Sequence, residues 1–180
     1  SFHQHRARQI GRANITNKVL IELKYGVCDL PRAPDVKAAV QGALIVDEKK
    51  DKLPARLVLS LRELLGMVGA YEWRKNGVEI PALAERIHPH YGVFSPVRGE
   101  YVDLVARAPL PADCALAFDI GTGSGIIAAV LARRGVKEIV ATDQDARALA
   151  CAVENIERLG LAAQVTVIKA DLFPEGKAPL

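Results

Sequence analysis

Apolar positions over residues 1–70 recur at helical spacing. Ile15, Val19, Leu20 and Leu23 fall on one face of a helix, with Gly26 placed as its stop. Pro34 opens a second stretch, whose apolar stripe is Val36, Ala39, Val40, Ala43 and Leu44. Pro54 opens a third, in which Leu57, Leu61, Leu64, Leu65 and Val68 keep helical spacing and Gly66 and Gly69 crowd the end. The pattern predicts an N-terminal helical domain over residues 1–70.

The texture then changes. Asn76-Gly77 is a strong short hairpin signal, because both residues tolerate positive φ, and it joins Tyr71–Arg74 to Val78–Ile80. A Pro- and Gly-containing loop runs from His88 to Gly99, so residues 71–98 read as a β-hairpin and loop linker. Tyr101, Val102, Val105 and Ala108 then make a short amphipathic helix, stopped by Pro109 and Pro111.

From Cys114 the pattern is strand, helix, strand, helix, strand. Ala115–Ile120, Glu138–Thr142 and Val165–Ala170 are strands, the first fit for burial on both faces. Gly125–Arg134 is an Ala-rich helix. Ala146–Leu159 is a second, with Leu149, Ala150, Val153 and Ile156 inward and Gly160 closing it. Strands alternating with helices of this length predict an α/β fold with parallel pairing and right-handed crossovers. Residues 99–180 thus form a Rossmann-like unit containing three strands.

Composition narrows the class without deciding function. The chain has 180 residues, 50% hydrophobic and 25% charged, which fits a globular protein. No apolar run is long enough to span a bilayer, and no apolar stretch follows the charged start to make a secretory signal. Cys28, Cys114 and Cys151 are odd in number and far apart, which favours a reducing, cytoplasmic setting. Net charge is +3 but uneven: residues 1–60 hold 11 Lys/Arg against 6 Asp/Glu, and the remainder 13 against 15. A basic front half hints at an acidic partner.

The candidate chemistry sits in Asp119-Ile120-Gly121-Thr122-Gly123-Ser124-Gly125, which runs from a strand directly into a helix. Ligands of open α/β sheets bind at this crevice, beside the carboxyl ends of the strands. A dinucleotide fingerprint needs Gly or Ala at position 126, and Ile126 stands there. A P-loop is excluded, since no Gly-Lys-Ser/Thr follows. The loop has no Lys or Arg and carries Asp119, which suits a cationic group such as an amine. The second strand ends in Asp143, placed to accept from two ribose hydroxyls, and the third in Asp171, placed to accept from an adenine amine with Leu172 against the ring. Three consecutive strand ends, each with an acid, describe a site for a nucleoside bearing an amino acid. That points to S-adenosyl-L-methionine.

Asp119–Gly125, Asp143 and Lys169-Ala170-Asp171-Leu172-Phe173 resemble motifs I, II and III of class I S-adenosylmethionine-dependent methyltransferases. A helical domain, a hairpin linker and the segment Gly92–Glu100 ahead of them are similar to the HemK-type and "methyltransferase small domain" group. The HemK loop usually reads Pro-x-Pro-x-Thr-Glu, where this chain has Ser95-Pro96-Val97-Arg98-Gly99-Glu100. The resemblance implies an enzyme that transfers a methyl group to a nitrogen in a protein glutamine or a nucleic acid. It implies cofactor contacts from Asp119, Gly121, Thr122, Gly123, Ser124, Gly125, Asp143, Gln144, Asp171 and Leu172. The family's substrate motif, Asn-Pro-Pro-aromatic, follows a fourth strand, so no catalytic residue is named and a longer natural protein is expected.

Several residues stand outside this picture. His3-x-His5 and His88-x-His90 each lack a third ligand at metal spacing, and no metal is expected. Trp73 and Tyr71 anchor the hairpin or stack on a base, and Phe94, Arg98 and Glu100 border the cofactor or only link domains. The alternatives are a nicotinamide-binding oxidoreductase and a non-catalytic methyltransferase-like scaffold.

Overall fold

A computed structural model describes residues 2–44, 52–94 and 99–174. The chain divides into two compact units, Ser1–Glu72 and Trp73–Leu180.

The first unit mixes helix and sheet. It comprises α1 (Phe2–Lys18), β1 (Leu20–Lys24), β2 (Val27–Cys28), α2 (Lys37–Leu44), β3 (Arg56–Ser60) and the body of α3 (Leu61–Asn76). The expectation of a purely helical domain is therefore corrected. The residues expected to carry a helix as far as Leu23 split after Lys18. Leu20–Lys24 alternates, with Leu23 buried and its neighbours Glu22 and Lys24 exposed. Tyr25 (φ 50°) and Gly26 (φ 81°) then make a two-residue turn of the primed kind, so Gly26 ends no helix. The stretch after Pro54 likewise begins as strand: β1 and β3 pair antiparallel from Leu20↔Ser60 to Lys24↔Arg56. The sheet order is β2-β1-β3.

α3 starts at a reciprocal cap. The Glu63 carboxylate accepts from the Ser60 N–H at 2.9 Å and the Ser60 hydroxyl at 2.8 Å, and the Glu63 N–H donates back to Ser60 Oγ at 3.2 Å. The Ser60 backbone and side-chain bonds hold the Glu63 pKa below its ordinary value. Leu23, Val36, Ala39, Val40, Ala43, Leu59, Leu64 and Met67 make up the buried apolar set of this unit.

The second unit is α/β. After the end of α3 come β4 (Val78–Ile80), a 3₁₀ turn (Pro81–Leu83), β5 (Glu85–Ile87), α4 (Glu100–Arg107), β6 (Leu116–Ile120), α5 (Ile126–Arg133), β7 (Glu138–Asp143), α6 (Ala146–Arg158) and β8 (Val165–Lys169). The expected hairpin lies elsewhere: Tyr71–Arg74 is helical, the Gly77 N–H closes α3 by donating to the Trp73 carbonyl at 2.8 Å, and β4 pairs with β5. Asn-Gly suits a helix end as well as a hairpin turn, since both want positive φ. Trp73 and Tyr71 accordingly sit on a helix, Trp73 half exposed.

β6, β7 and β8 form a parallel sheet in that order, in register from Leu116↔Glu138 and Ile139↔Val165. β7 is buried along most of its length. β6 is not buried on both faces: Leu116 is 45% exposed, because among the described residues β6 pairs only with β7. Ile126, Ala129, Val130, Ile139, Ile156 and Val165 lie in one core cluster, which also takes in Ile80, Ile87 and Val102 from the elements before the sheet. The inward face of α6 is Ala148, Cys151, Ala152, Asn155 and Ile156. Of the positions expected there, Ile156 is correct, Val153 is 40% exposed and Ala150 is on the solvent side. The inward stripe includes Asn155, a polar residue that an apolar count passes over. Among the described residues no helix is long and apolar enough to cross a membrane.

Candidate functional site

The three parallel strands end side by side, and the Gly121–Gly125 loop leaves β6 and crosses the end of β7 into α5. The loop is tied down at every step. The N–H groups of Gly121 and Thr122 both donate to the Thr142 carbonyl at 2.8 Å, at the end of β7. The Gly123 N–H donates to Asp143 Oδ2 at 3.0 Å, and the Gly125 N–H to the Thr122 carbonyl at 2.9 Å.

Two glycines have different reasons to be glycine. Gly125 has φ +80°, and a Cβ there would stand 3.2 Å from the Cα of Ala152 and 3.3 Å from its Cβ. The start of α5 therefore packs tightly against α6, and a side chain there would have to push Ala152 back by a few tenths of an ångström. Gly121 has φ +73° and is exposed, and a Cβ there would meet nothing within 4 Å. That side of the loop opens outward.

Asp119 is 8% exposed on β6. Its Oδ2 accepts from the Thr122 hydroxyl at 2.6 Å and from the Ala128 N–H at 3.0 Å. The carboxylate thus braces the loop and the first turn of α5, where a negative charge meets the positive end of the helix dipole. Burial raises its pKa, the Thr122 and Ala128 bonds pull it back, and the Asp143 charge raises it further. Tyr101 on α4 senses the same carboxylate: burial raises its hydroxyl pKa and the charge of Asp119 adds to that. The Phe94 ring lies 6.1 Å from the Tyr101 ring. The sequence pattern marked Tyr101 only as an inward apolar position. Glu100 opens α4, and Arg98 lies outside the described residues.

Asp143 is half buried at the end of β7. Oδ2 takes the Gly123 N–H, and Oδ1 takes the Asp145 N–H at 3.0 Å. A carboxylate offers about four lone-pair sites, so both oxygens retain capacity for ligand hydroxyls. The end of β8 folds toward the same place. Gln144 Nε2 donates to Asp171 Oδ1. The buried Thr142 hydroxyl donates to the Leu172 carbonyl at 2.7 Å, and Phe173 meets Phe118 edge to face at 5.2 Å. Asp171 and Leu172 are exposed, and buried Ser124 is held from behind by Asn155. The predicted residues therefore gather at the carboxyl ends of the three strands in two layers. Asp119, Thr122 and Ser124 are buried within the loop's support, and Gly121, Gln144, Asp171 and Leu172 are exposed at its surface.

The two His88-x-His90 rings diverge. His88 Nδ1 lies 2.6 Å from the Arg74 carbonyl, and His90 Nε2 lies 2.8 Å from Glu154. Arg74 and Arg158 also bond Glu154, each at 2.9 Å. Burial alone would raise Glu154, but the His90 and Arg158 bonds and the Arg74 charge outweigh it and hold the carboxyl at about 2. Burial lowers His90 against the opposing pull of Glu154. Among the described residues no group of three His, Cys, Asp or Glu is placed to hold a metal ion.

Comparison with known proteins adds to this geometry. The family model "Ribosomal protein L11 methyltransferase (PrmA)" matches residues 110–180. The chain is similar to the ribosomal protein L11 methyltransferase of Pelotomaculum thermopropionicum, 43% identical over 65 residues, or 35% of this chain and 21% of that protein. It is similar to the same-named protein of Exiguobacterium sibiricum, 40% identical over 62 residues, or 34% and 20% of the two chains. The N-terminal domain of human METTL16 in complex with SAH is 21% identical, with a TM-score of 0.39, over 81% of this chain and 57% of that one. The chain spans about a fifth of the length of the curated relatives it matches. The matched stretch, residues 110–180, holds the glycine loop and all three strand ends, and its likeness to proteins named for ribosomal protein L11 methylation supports the class I methyltransferase reading without singling out the HemK type.

Proposed function

We propose that the crevice over β6–β8 binds S-adenosyl-L-methionine and that the protein transfers the methyl group to a nitrogen of a macromolecular acceptor. One observation carries this reading. A cation-free glycine loop, open at Gly121, lies among Asp119, Asp143 and Asp171 at three adjacent parallel strand ends. Such a site fits a cationic sulfonium nucleoside far better than a pyrophosphate, which seeks donors and positive charge. The similarity of residues 110–180 to L11 methyltransferases supports the same reading.

In this account Asp143 accepts from the ribose hydroxyls, and Gly123 keeps it in place. Asp171, steadied by Gln144, accepts from the adenine amine, and the exposed Leu172 side chain lies against the ring. Gly121, Thr122, Gly123, Ser124 and Gly125 lie along the amino-acid end, and Asp119 contributes charge while shaping the loop. The sulfonium supplies an activated methyl group, so the protein's task is to bind, orient and exclude water.

The acceptor is a protein, as the relatives' name suggests for them, or a nucleic acid. The N-terminal unit suits an acidic one. α1 has no acidic residue, and its Arg6, Arg8, Arg12 and Lys18 are all exposed. Incubating the full-length protein with ribosomes, free RNA and tritium-labelled S-adenosylmethionine tests the reading. Label removed by protease identifies a protein acceptor, and label removed by ribonuclease an RNA. Absence of macromolecular label in every fraction contradicts methyl transfer.

A further inference from the structure

Asn155 lies 1% exposed on the inward face of α6. A buried amide is costly unless both its ends are satisfied. Here both are, by backbone groups distant in sequence. Its Oδ1 accepts from the His88 N–H at 2.7 Å, and its Nδ2 donates to the Ser124 carbonyl at 3.1 Å, inside the glycine loop. Two neighbours on α6 hold the same incoming segment: Cys151 Sγ lies 3.4 Å from the His90 N, and Glu154 bonds the His90 ring. Of these three side chains, Asn155 is the one that also bonds the loop.

We infer that Asn155 is a positioning residue for the proposed cofactor site, fixing the Ser124 carbonyl against the His88–His90 segment and so setting the path of the loop into α5. The inference rests on the S-adenosylmethionine reading. The site demands an acceptor toward one backbone N–H and a donor toward one backbone C=O, which an asparagine amide supplies in one orientation. Aspartate keeps the bond to His88 but turns a carboxylate oxygen against the Ser124 carbonyl. Ser124 is the residue before Gly125, where even an added Cβ would stand 3.2 Å from the Ala152 Cα, so the loop has little freedom to retreat on that side. Displacement falls on the ligand side.

The test compares Asn155→Asp with Glu154→Gln in the full-length protein. Glu154→Gln loosens the grip on the same segment without touching Ser124. Cofactor affinity is read by calorimetry, stability by thermal midpoint, and loop position by the ligand-free amide signals of Gly123, Ser124 and Gly125. Asn155→Asp is expected to weaken S-adenosylmethionine binding by about tenfold or more, the scale of one buried polar group left unsatisfied, and to shift the loop signals. Glu154→Gln is expected to lower the midpoint while leaving affinity within about twofold, as changes outside a site usually do. Equal loss of affinity in both at equal loss of midpoint overturns the inference, and so does unchanged binding with unmoved loop signals in Asn155→Asp. Should Asn155→Asp not fold, Asn155→Ser makes the same comparison, because its short hydroxyl cannot span both backbone groups. Failure of the unaltered protein to bind the cofactor overturns the functional reading instead, and the ligand-free signals then still decide whether Asn155 places the loop.

Discussion

Substituting alanine at Gly125 and at Gly121 separates the two faces of the loop. Both residues have positive φ, +80° and +73°, so each substitution costs about 1–2 kcal/mol of backbone strain. At Gly121 the new methyl group meets nothing within 4 Å, and the cost to folding ends there. At Gly125 it meets Ala152 at 3.2 Å, 3.3 Å and 3.4 Å, two of the three atoms belonging to helix backbone that no rotamer change can move. Overpacking of this kind adds about 1–3 kcal/mol, for a total of about 2–5 kcal/mol, a large share of a domain's stability. Urea unfolding followed by circular dichroism measures the difference, provided the denaturant slope is unchanged. Binding should rank the other way, with Gly121→Ala folding well yet losing S-adenosylmethionine because its methyl group occupies the open side. Equal stability losses in the two variants refute the close-packing argument, and undiminished binding by Gly121→Ala refutes the assignment of the ligand to that side.

Acidification should weaken the second unit in two steps. His90 is held below its ordinary 6.5, so its contribution is present above that pH and fades as pH falls through its folded value; Glu154, held at about 2, loses its contribution between 4.5 and about 2. Urea midpoints across that range should fall with pH, and Glu154→Gln should flatten the lower step; a parallel curve in the variant contradicts this. Ser60→Ala removes the α3 cap and should cost about 1 kcal/mol in the same assay, whereas Ser60→Asp should restore most of it. Replacing both Arg8 and Arg12 with Gln should cut the log–log salt slope of nucleic-acid binding by about 1.4–1.8, and an unchanged slope removes α1 from the acceptor surface.

The second half of the chain was legible because its signals are local. Short apolar strands, an Ala-rich helix and a glycine loop leave marks within a few residues, and β6, α5, β7, α6 and β8 begin and end within a residue or two of where those marks fall. The first unit is less legible because its sheet depends on long-range pairing. Nothing near Leu20 says that Ser60 will lie opposite it, and the apolar spacing from Ile15 to Leu23 fits a helix equally well. Ser60-x-x-Glu63 is a local signal even so: it is a capping box, and it moves the start of the third helix from Pro54 to Leu61. Asp119 and Asp143 stand out as acids, but their bonds to Ala128 and Gly123 depend on how the loop closes. Asn155 left no mark at all. Its partners lie 67 and 31 residues away, and a polar residue on a helix face reads as solvent-facing until its backbone partners are seen.

Titration of the full-length protein with S-adenosylmethionine and with NAD, alongside an Asp143→Ala variant, tests the central claim most directly. The account predicts saturable heat with S-adenosylmethionine, none with NAD, and a loss of affinity of about tenfold or more when the Asp143 carboxylate is removed. Binding of NAD in place of S-adenosylmethionine, or full affinity in Asp143→Ala, would contradict it.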